Sequence, residues 1–175
     1  TQYSYNDIGN ITIITAPLES ISTYEYWNYS LLSTTTNARG YTTRYEFVGN
    51  GNLITETQDW GGLNYIAGYE YDSYGLPIKI TDARGNVAEH QYDRHLNLIA
   101  TTDTLGNTTV YTYDLAGRLI SETTPLGYTT VYTYDLADQL TTITDALDYT
   151  IVYAYDSHGN RIAETDANGN TTLYY

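Results

Sequence analysis

The sequence predicts an all-β fold in which tandem 21-residue β-hairpin repeats form a curved or spiralling antiparallel sheet. Three observations predict it. A Tyr-x-Tyr motif recurs at a nearly constant spacing, turn residues separate the motifs, and the strand-favouring residues Tyr, Thr and Ile are frequent. Tyr accounts for 22 of the 175 residues, whereas Phe occurs once and Met and Cys do not occur.

The spacing of the motif defines the repeat. We take the residue after each Tyr-x-Tyr, or its variant, as an anchor; successive anchors are 21 residues apart except for one interval of 24. The longer interval indicates a three-residue insertion within residues 60–68. We therefore predict one continuous array over residues 1–175, with about eight repeats and a ninth truncated at 174–175. The anchors are Asn6, Trp27, Val48, Asp72, Asp93, Asp114, Asp135 and Asp156.

Each repeat begins with a predicted strand that carries the Tyr-x-Tyr pair. Side chains alternate between the faces of a strand, so the two tyrosines of a pair share one face. Equivalent tyrosines of successive repeats should form rows, because a one-residue slip would reverse every side chain. These positions are Tyr69, Tyr71, Tyr92, Tyr111, Tyr113, Tyr132, Tyr134, Tyr153 and Tyr155, with Phe47 and His90 as substitutes in two repeats.

A tight turn follows the first strand. Its pattern is Asp-x-x-Gly, in which Asp can accept hydrogen bonds from the following backbone and Gly can adopt a positive φ. The pattern is complete at Asp72 with Gly75, at Asp114 with Gly117 and at Asp156 with Gly159, whereas Asp93 and Asp135 carry the aspartate alone. We interpret these residues as structural.

A second strand then returns, as in Leu119 to Thr123, and a second turn such as Asp103 to Asn107 closes the repeat. Thr stands nine residues after the anchor in all eight repeats, including Thr81, Thr102, Thr123, Thr144 and Thr165. We predict that this Thr pairs across strands and that its hydroxyl is hydrogen bonded where it is buried. The insertion should bulge from a turn and leave the register of the strands unchanged.

Composition and charge exclude several classes of protein. The chain has 21 acidic and 7 basic residues, a net charge of −14, which argues against nucleic-acid binding because phosphate contacts need clustered Lys and Arg. No apolar run approaches the roughly 20 residues that span a bilayer, and no signal-peptide pattern is present. The missing initiating Met suggests a piece of a longer protein, and the length suffices for one domain with a sizeable core.

No residue pattern indicates catalysis, a cofactor or a metal. The absence of Cys excludes thiolate chemistry, and no Gly-x-Ser-x-Gly motif is present. Aspartates one repeat apart would lie about 9.6 Å from each other, too far to share a calcium ion. His90, His95 and His158 do not have a recognised metal spacing. We therefore predict a protein that is not an enzyme.

The tyrosine rows allow two interpretations. Aromatic rows can bind sugars or apolar segments of an enclosed polypeptide. They also stabilise a sheet by stacking, at about 0.5–1.5 kcal/mol per aromatic pair beyond burial. Stacking is the interpretation that we favour.

The motif Tyr-x-Tyr-Asp-x-x-Gly-x-Leu, followed by Thr-Asp-x-x-Gly-Asn-x-Thr, closely resembles the RHS or YD repeat. The resemblance covers the chain, strongly over residues 69–175 and more degenerately over 1–68. It implies β-hairpins wound into a spiral sheet that forms a segment of a hollow shell or tube. The family includes bacterial Rhs and insecticidal Tc toxin components, wall-associated proteins and teneurins, and in the toxins the shell encloses a C-terminal polypeptide.

The resemblance implies a non-catalytic shell segment, extracellular or at a cell surface and bacterial, with further repeats of the same chain or an enclosed polypeptide as its partners. The Asp-Pro-x-Gly type motif of the family's self-cleaving core is absent from the sequence. Two alternatives stay open. Copies of the chain could assemble into an extracellular YD-repeat tube or filament through exposed sheet edges, or the tyrosine rows could bind glycans or a receptor.

Overall fold

The structure, a computed structural model, describes residues 1–27 and 30–174. Within them, seventeen strands belong to an antiparallel sheet, and the single helical element is one 3-10 turn, Pro17–Glu19. The predicted all-β antiparallel fold is therefore confirmed. The strands are β1 Gln2–Tyr5, β2 Ile11–Ala16, β3 Ser20–Trp27, β4 Leu31–Thr36, β5 Thr42–Phe47, β6 Leu53–Gln58, β7 Tyr65–Tyr71, β8 Pro77–Thr81, β9 Val87–Tyr92, β10 Leu98–Thr102, β11 Thr108–Tyr113, β12 Leu119–Thr123, β13 Thr129–Tyr134, β14 Leu140–Thr144, β15 Thr150–Tyr155, β16 Arg161–Thr165 and β17 Thr171–Leu173.

The chain divides into two compact units, residues 1–89 and residues 90–175. Unit 1 contains β1 to β8 and the start of β9, and unit 2 contains the end of β9 and β10 to β17. The final strand, β17, precedes the predicted ninth motif, of which Tyr174 is described and Tyr175 lies outside the described residues. No helix of the described residues is long and apolar enough to cross a membrane.

The two strands within a repeat pair over most of their length. In unit 2, Val110 lies opposite Thr123, Tyr111 opposite Glu122 and Thr112 opposite Ser121. The register then shifts, so that Tyr113 lies opposite Leu119 and Ile120 is the extra residue of a β-bulge. The same shift occurs at the equivalent place in seven repeats. A bulge increases the local twist of the strands, so this feature twists these seven repeats in the same way.

Pairing between consecutive repeats is shorter. β12 pairs with β13 over three residues only, Ser121 with Val131, Glu122 with Thr130 and Thr123 with Thr129. The same three-residue ladder joins β10 to β11 and β14 to β15. The second half of each Tyr-x-Tyr strand therefore continues beyond the ladder to the preceding repeat.

The two sheet faces differ in chemistry. Paired residues of neighbouring strands share a face, so the register places Tyr111, Tyr113, Tyr132 and Tyr134 on one side, here called the tyrosine face. The opposite side, the threonine face, carries Val110, Thr112, Thr123, Thr129 and Thr133. In unit 1 the register likewise places Tyr45 and Tyr69 on one face, as the repeat period predicts.

The insertion lies in the hairpin between β6 and β7, and it differs from the prediction. Two of its three residues lengthen the ladder by one pair, Gln58 opposite Tyr65, and only one lengthens the turn. Adding one residue to each strand keeps the hairpin in register, which is why Tyr69 still lies opposite Ile80 as Tyr45 lies opposite Glu56. The prediction that the insertion bulges from a turn is therefore wrong for two of its three residues, whereas the unchanged register that was predicted with it is confirmed.

The predicted sizeable core is wrong. Among the described residues Ala100 alone is a buried hydrophobic residue, at 9% exposure, and no polar residue is buried. The solvent-accessible surface is 12030 Å², whereas a globular chain of this mass exposes about 8,600 Å². The physical reason is that hairpins paired edge to edge make a single layer, and a single layer has no interior. Length alone did not reveal this.

Candidate functional site

The repeated turns are closed by their first residue. In the turn that begins at Asp114, the Asp114 N–H donates to the Arg118 carbonyl at 3.0 Å, and the Gly117 N–H donates to the Asp114 carbonyl at 3.0 Å. The Asp114 carboxylate accepts from the backbone N–H groups of Ala116 and Arg118, at 2.9 and 3.0 Å. Both turns of a repeat have this geometry, which is built in the same way at Asp72, Asp82, Asp93, Asp103, Asp135, Asp145, Asp156 and Asp166.

The fourth residue of each turn requires a positive φ. Gly117 has φ +81°, Gly75 has +86° and Gly159 has +88°, values that L side chains rarely adopt. Three turns place another residue there: Leu96 at 69°, Asp138 at 63° and Asp148 at 64°. The predicted turn glycines thus lie where the left-handed backbone conformation favours glycine.

Hydrogen bonding within the turns lowers the pKa of the turn aspartates. At Asp82, Asp103, Asp156 and Asp166, the side-chain amide of the Asn four residues on donates to the carboxylate and lowers its pKa, and backbone N–H groups add to the effect. The amide-to-carboxylate distances are 2.8 to 2.9 Å. At Asp114 the backbone N–H of Arg118 and then its guanidinium lower the pKa. These carboxylates are turn acceptors that remain ionised at neutral pH.

The second tyrosine of the motif forms a hydrogen bond to the backbone of the preceding repeat. The Tyr113 hydroxyl donates to the Leu98 carbonyl at 2.9 Å, and the Tyr134 hydroxyl donates to the Leu119 carbonyl at 2.9 Å. Tyr26, Tyr71 and Tyr155 make the same bond, to Ile11, Leu53 and Leu140, at 2.8 Å. Each acceptor opens the second strand of the preceding repeat and lies beyond the end of the ladder between the two repeats, so on that side the register pairs no residue with it.

The first tyrosines of the motif lie on the tyrosine face, and in the part of the chain that the structure describes none of their hydroxyls donates to a backbone carbonyl of the preceding repeat. Tyr69, Tyr111, Tyr132 and Tyr153 lie opposite Ile80, Glu122, Ile143 and Glu164. Partial burial raises the pKa of Tyr69 and Tyr132, and nearby glutamates add to the rise. In β9 the equivalent positions hold His90 and Tyr92. The phenols of Tyr69 and Tyr132 therefore stay protonated at neutral pH.

Arg118 is a second connection between repeats. Its guanidinium contacts the Asp114 carboxylate at 2.6 Å and reaches the next turn, where it contacts the Asp138 carboxylate at 2.7 Å and the Asp135 carbonyl at 3.2 Å. It also stacks over the Tyr134 ring at 4.9 Å. Asp138 occupies a positive-φ position, so this ion pair holds a strained residue in place.

Threonine pairs connect the repeats on the threonine face. The hydroxyls of Thr123 and Thr129 lie 2.9 Å apart across the turn that joins two repeats. The same 2.9 Å contact joins Thr36 to Thr42, Thr102 to Thr108, Thr144 to Thr150 and Thr165 to Thr171. Thr81 lies opposite Val87 and has no hydroxyl opposite it. The recurring Thr thus has a structural environment, with a hydrogen bond wherever the partner is also Thr.

The described residues assemble no recognisable catalytic or metal centre. No group of three or more His, Asp or Glu residues lies close enough to hold one cation in the described part of the chain. His95 is 3.9 Å from Asp93 at the rim of a depression of about 410 Å³ that Asn97 and Asp114 also line. Its ring is largely exposed, and no serine or threonine lines this depression. The contacts that recur in the described residues are those of the turn aspartates, the second tyrosines and the threonine pairs, and with Arg118 they form a network between repeats.

Three features of this network were not anticipated from the sequence. They are the β-bulge in each repeat, the tyrosine hydroxyl bond to the preceding repeat, and the arginine that joins two turns. A signal for the second was present: Tyr rather than Phe fills the second aromatic position in seven of eight repeats. Stacking alone would accept either residue.

Comparisons with known proteins agree with this architecture. The RHS Repeat family model matches residues 92–129, 113–150 and 134–171, three overlapping windows that are each 21 residues further along. No relative among curated protein sequences matches the chain.

Solved structures with the same fold are components of Tc toxins. The chain is similar to the Tc holotoxin pore of Photorhabdus luminescens, in a mutated form, with a TM-score of 0.76 and 18% identity over 97% of this chain. It is also similar to TcdB2-TccC3-TEV, with a TM-score of 0.60 and 17% identity over 94%. A third structure, TcdB2-TccC3 without its hypervariable C-terminal region, has a TM-score of 0.56 and 18% identity over 94%. The chain spans 11% of each of these chains.

At these identities the structures establish the shared fold alone. The matched windows keep the 21-residue period that the turns, the threonine pairs and the tyrosine hydroxyls require. Residues 92–171 of the chain are therefore RHS repeats.

Proposed function

We propose that this chain is a non-catalytic wall segment of a β-shell that encloses a polypeptide. The observation that supports the proposal most directly is the single-layered sheet, in which Ala100 is the one buried hydrophobic residue of the described part of the chain. A single sheet with two accessible faces can separate an enclosed compartment from the surrounding solvent, and it needs no hydrophobic core to do so.

The connections between repeats suit a wall. Tyrosine hydroxyls, threonine pairs and Arg118 each link neighbouring repeats, so the sheet is held along its length by bonds that do not need a second layer. The net charge of −14 keeps such a surface soluble. The similarity to Tc toxin components supports an extracellular, bacterial setting for the assembled protein.

The test is electron cryo-microscopy of the native polypeptide that contains these residues, combined with limited proteolysis. We expect a closed compartment whose wall includes this sheet, and an enclosed segment that proteases cleave only after the shell is denatured. An open sheet with no enclosed volume, or contents digested equally fast before and after denaturation, would contradict the proposal.

A second candidate function is a subunit of a tube or filament. One observation favours it: every residue of β1 and of β17 is exposed. Exposed strands can pair with further strands, either from more repeats or from another copy. Sedimentation and electron microscopy of the 175-residue chain at rising concentration separate the two cases, because growth into fibres supports the filament. A chain that stays monomeric at high concentration, with β1 and β17 well ordered by hydrogen–deuterium exchange, contradicts both.

A further inference from the structure

A glutamate recurs on the tyrosine face at a position where the fold does not require one. Eight residues after the anchor, three repeats carry Glu56, Glu122 and Glu164, each opposite a first tyrosine of the motif. The other five repeats have Ile or Thr there, and they form the same hairpins. Folding alone therefore does not account for the three carboxylates.

The surroundings of Glu164 show what such a glutamate binds. Glu164 lies opposite Tyr153, and the Tyr174 hydroxyl donates to its Oε2 at 3.1 Å. The Cζ atom of Arg161 lies 5.3 Å from the ring centroid of Tyr153 and 4.8 Å from that of Tyr174. The Arg161 guanidinium also contacts Glu164 Oε2 at 3.3 Å. Two phenol rings and a carboxylate thus hold one guanidinium, with both rings within the roughly 6 Å range of a cation–π contact.

Glu122 lies between two tyrosines in the same way. It lies opposite Tyr111 on one side and opposite Thr130 on the other, and Tyr132 stands two residues beyond Thr130 on the same face. Partial burial raises the pKa of the Tyr132 phenol, and the Glu122 carboxylate and the Tyr111 phenol add to the rise, so both groups lie close to the Tyr132 hydroxyl. The three side chains are half-buried and remain accessible from the tyrosine face.

The Glu122 group lacks the cation that the Glu164 group has. Leu119 takes the register position of Arg161, since Leu119 lies opposite Tyr113 as Arg161 lies opposite Tyr155. In the residues that the structure describes, no basic side chain forms an ion pair with Glu122. The same arrangement of rings and carboxylate is therefore filled by the chain itself in one repeat and left open in another.

We propose that Tyr111, Glu122 and Tyr132, here called the tyrosine–glutamate site, bind the guanidinium group of a ligand. A planar guanidinium can stack on a phenol ring while its N–H groups donate to the carboxylate. The charge of Glu122 and the −14 net charge of the chain favour a cation and disfavour an anion.

The third glutamate is already occupied by a neighbour. Glu56 lies opposite Tyr45, and partial burial and then the Glu56 carboxylate raise the pKa of Tyr69. However, Glu56 Oε1 accepts from the Gln58 amide at 3.1 Å, so we assign the open site to Glu122. All residues of the tyrosine–glutamate site belong to unit 2, and the proposal does not depend on the assembly that the chain forms.

The test is an NMR titration of the 175-residue chain with isotope-labelled tyrosine rings, at constant ionic strength. The probes are agmatine, a free guanidinium compound, and acetyl-Gly-Arg-Gly-amide, whose guanidinium belongs to a peptide. We expect saturable shifts of the Tyr111 and Tyr132 signals with a Kd on the order of a millimolar, because exposed ion pairs and cation–π contacts are individually weak. Saturation by either probe supports the proposal, and the comparison of the two identifies the source of guanidinium that the site accepts.

Two reciprocal variants exchange the open and the filled site. Leu119→Arg copies Arg161 and supplies the open site with a guanidinium of the chain, so agmatine should no longer shift the Tyr111 and Tyr132 signals. Arg161→Leu removes the guanidinium from the other site, so the signals of Tyr153 and Tyr174 should begin to respond to agmatine.

The charge of the site is tested separately. Glu122→Gln should weaken binding about tenfold or more. The matched control is Glu25→Gln, which removes one charge from the threonine face, where Glu25 accepts from the Thr34 hydroxyl at 3.0 Å, and it should bind as the parent chain does. Circular dichroism checks that each variant keeps the sheet, and if Leu119→Arg does not fold, the other two site variants decide. The proposal is overturned if neither probe shifts Tyr111 and Tyr132 saturably, if the response survives Leu119→Arg or Glu122→Gln unchanged, or if Tyr153 and Tyr174 stay silent in Arg161→Leu.

Discussion

The phenol oxygen of the second motif tyrosine is the smallest unit that connects repeats. A hydroxyl that bonds a carbonyl contributes about 0.5–1.5 kcal/mol net, and a buried carbonyl left without a partner costs more. The bond recurs at five described tyrosines, always to the residue that opens the preceding second strand. Its loss can therefore be tested one repeat at a time.

We expect Tyr113→Phe to lower the free energy of unfolding by about 1 kcal/mol, because the Leu98 carbonyl loses its donor while the ring still packs. Urea denaturation followed by circular dichroism measures the change. Tyr111→Phe is the control, since Tyr111 is on the same face but its hydroxyl donates to no backbone carbonyl in the residues that the structure describes. Equal losses in the two variants would show that the hydroxyl bond is not responsible.

The fourth residue of each turn, which has a positive φ, gives a second prediction, namely that a glycine there stabilises the fold. Asp148 has φ +64° in a slot that is otherwise mostly glycine, and a non-glycine residue there costs about 1 kcal/mol. Asp148→Gly should therefore raise the midpoint of thermal unfolding. Asp138→Gly should gain less, because it also removes the ion pair with Arg118. The idea fails if Asp148→Gly is neutral or destabilising.

At the residue scale, the sequence predicted the turns but did not predict the hydrogen bonds of the tyrosine hydroxyls. Asp-x-x-Gly predicted the loop at Asp114 because the pattern is local, and local geometry depends on neighbouring residues alone. The partner of Tyr113 is Leu98, fifteen residues earlier on another strand, and finding it requires the point at which the ladder between repeats ends. That point is a property of the sheet.

At the scale of the element, the hairpin between repeats depends on facing threonines. A hydroxyl whose partner is deleted loses its bond, whereas replacing both hydroxyls by methyl groups can be nearly neutral. The pair Thr123 and Thr129 is half-buried and 2.9 Å apart, so both outcomes should be measurable.

We expect Thr123→Val to cost about 1 kcal/mol, and the double variant with Thr129→Val to cost less than the sum of the single variants. Equilibrium unfolding of the four proteins gives the coupling energy. Thr81→Val supplies the comparison, because Thr81 already faces Val87 and should lose little. Additive effects at Thr123 and Thr129 would mean that their hydroxyls are independently solvated.

At the scale of the element, the sequence predicted the strands but did not predict the β-bulges. Period-two alternation predicted β12 with its observed bounds, Leu119–Thr123, and it predicted the shared face of the tyrosines. It gave no sign that Ile120 is an extra residue. The bulge interrupts the alternation of β12, because Leu119 shares a face with Tyr113, whereas Ser121, two residues on, shares the opposite face with Thr112. At one bulge the Thr133 hydroxyl contacts both Thr141 and Thr142, at 2.9 and 2.7 Å, so two consecutive side chains reach the same neighbour.

At the scale of the whole molecule, the stability of the fold should depend on pH, because turn carboxylates recur along the chain. The turn carboxylates have folded-state pKa values below those of the unfolded chain, where Asp titrates at about 3.9. A group with a lowered folded-state pKa stabilises the fold above the unfolded value, and this stabilisation is lost as the pH falls through the folded value. The contribution is repeated along the chain.

We therefore expect the thermal midpoint to be constant from neutral pH to about pH 5 and to fall steeply below about pH 4. The matched variant replaces Asp82, Asp103, Asp156 and Asp166 by Asn, which already closes the turns at Asn6 and Asn37 through its amide oxygen. It should show a shallower decline in acid. A decline as steep as that of the parent chain would assign acid sensitivity to other groups.

The missing core is the property of the whole molecule that the sequence concealed. Forty-one per cent of the residues are hydrophobic, a fraction that also occurs in compact domains. In this chain tyrosine supplies much of it, and its aromatic rings lie half-exposed along a layer. The fraction of hydrophobic residues does not indicate whether a sheet packs against a second layer and so forms a core.

The bond from each tyrosine to the preceding repeat has a consequence for how such a protein can change over generations. Where this bond is described, a repeat offers its successor the carbonyl that opens its second strand and offers its predecessor a tyrosine hydroxyl, so a duplicated stretch of 21 residues would carry both bonding groups. The other repeats would need no compensating substitutions, because each of these hydrogen bonds joins adjacent repeats only. Gene duplication by whole repeats could therefore alter the extent of such a sheet in one step. An insertion of another length has to be absorbed within one hairpin, as the longer ladder and the longer turn between β6 and β7 absorb three residues.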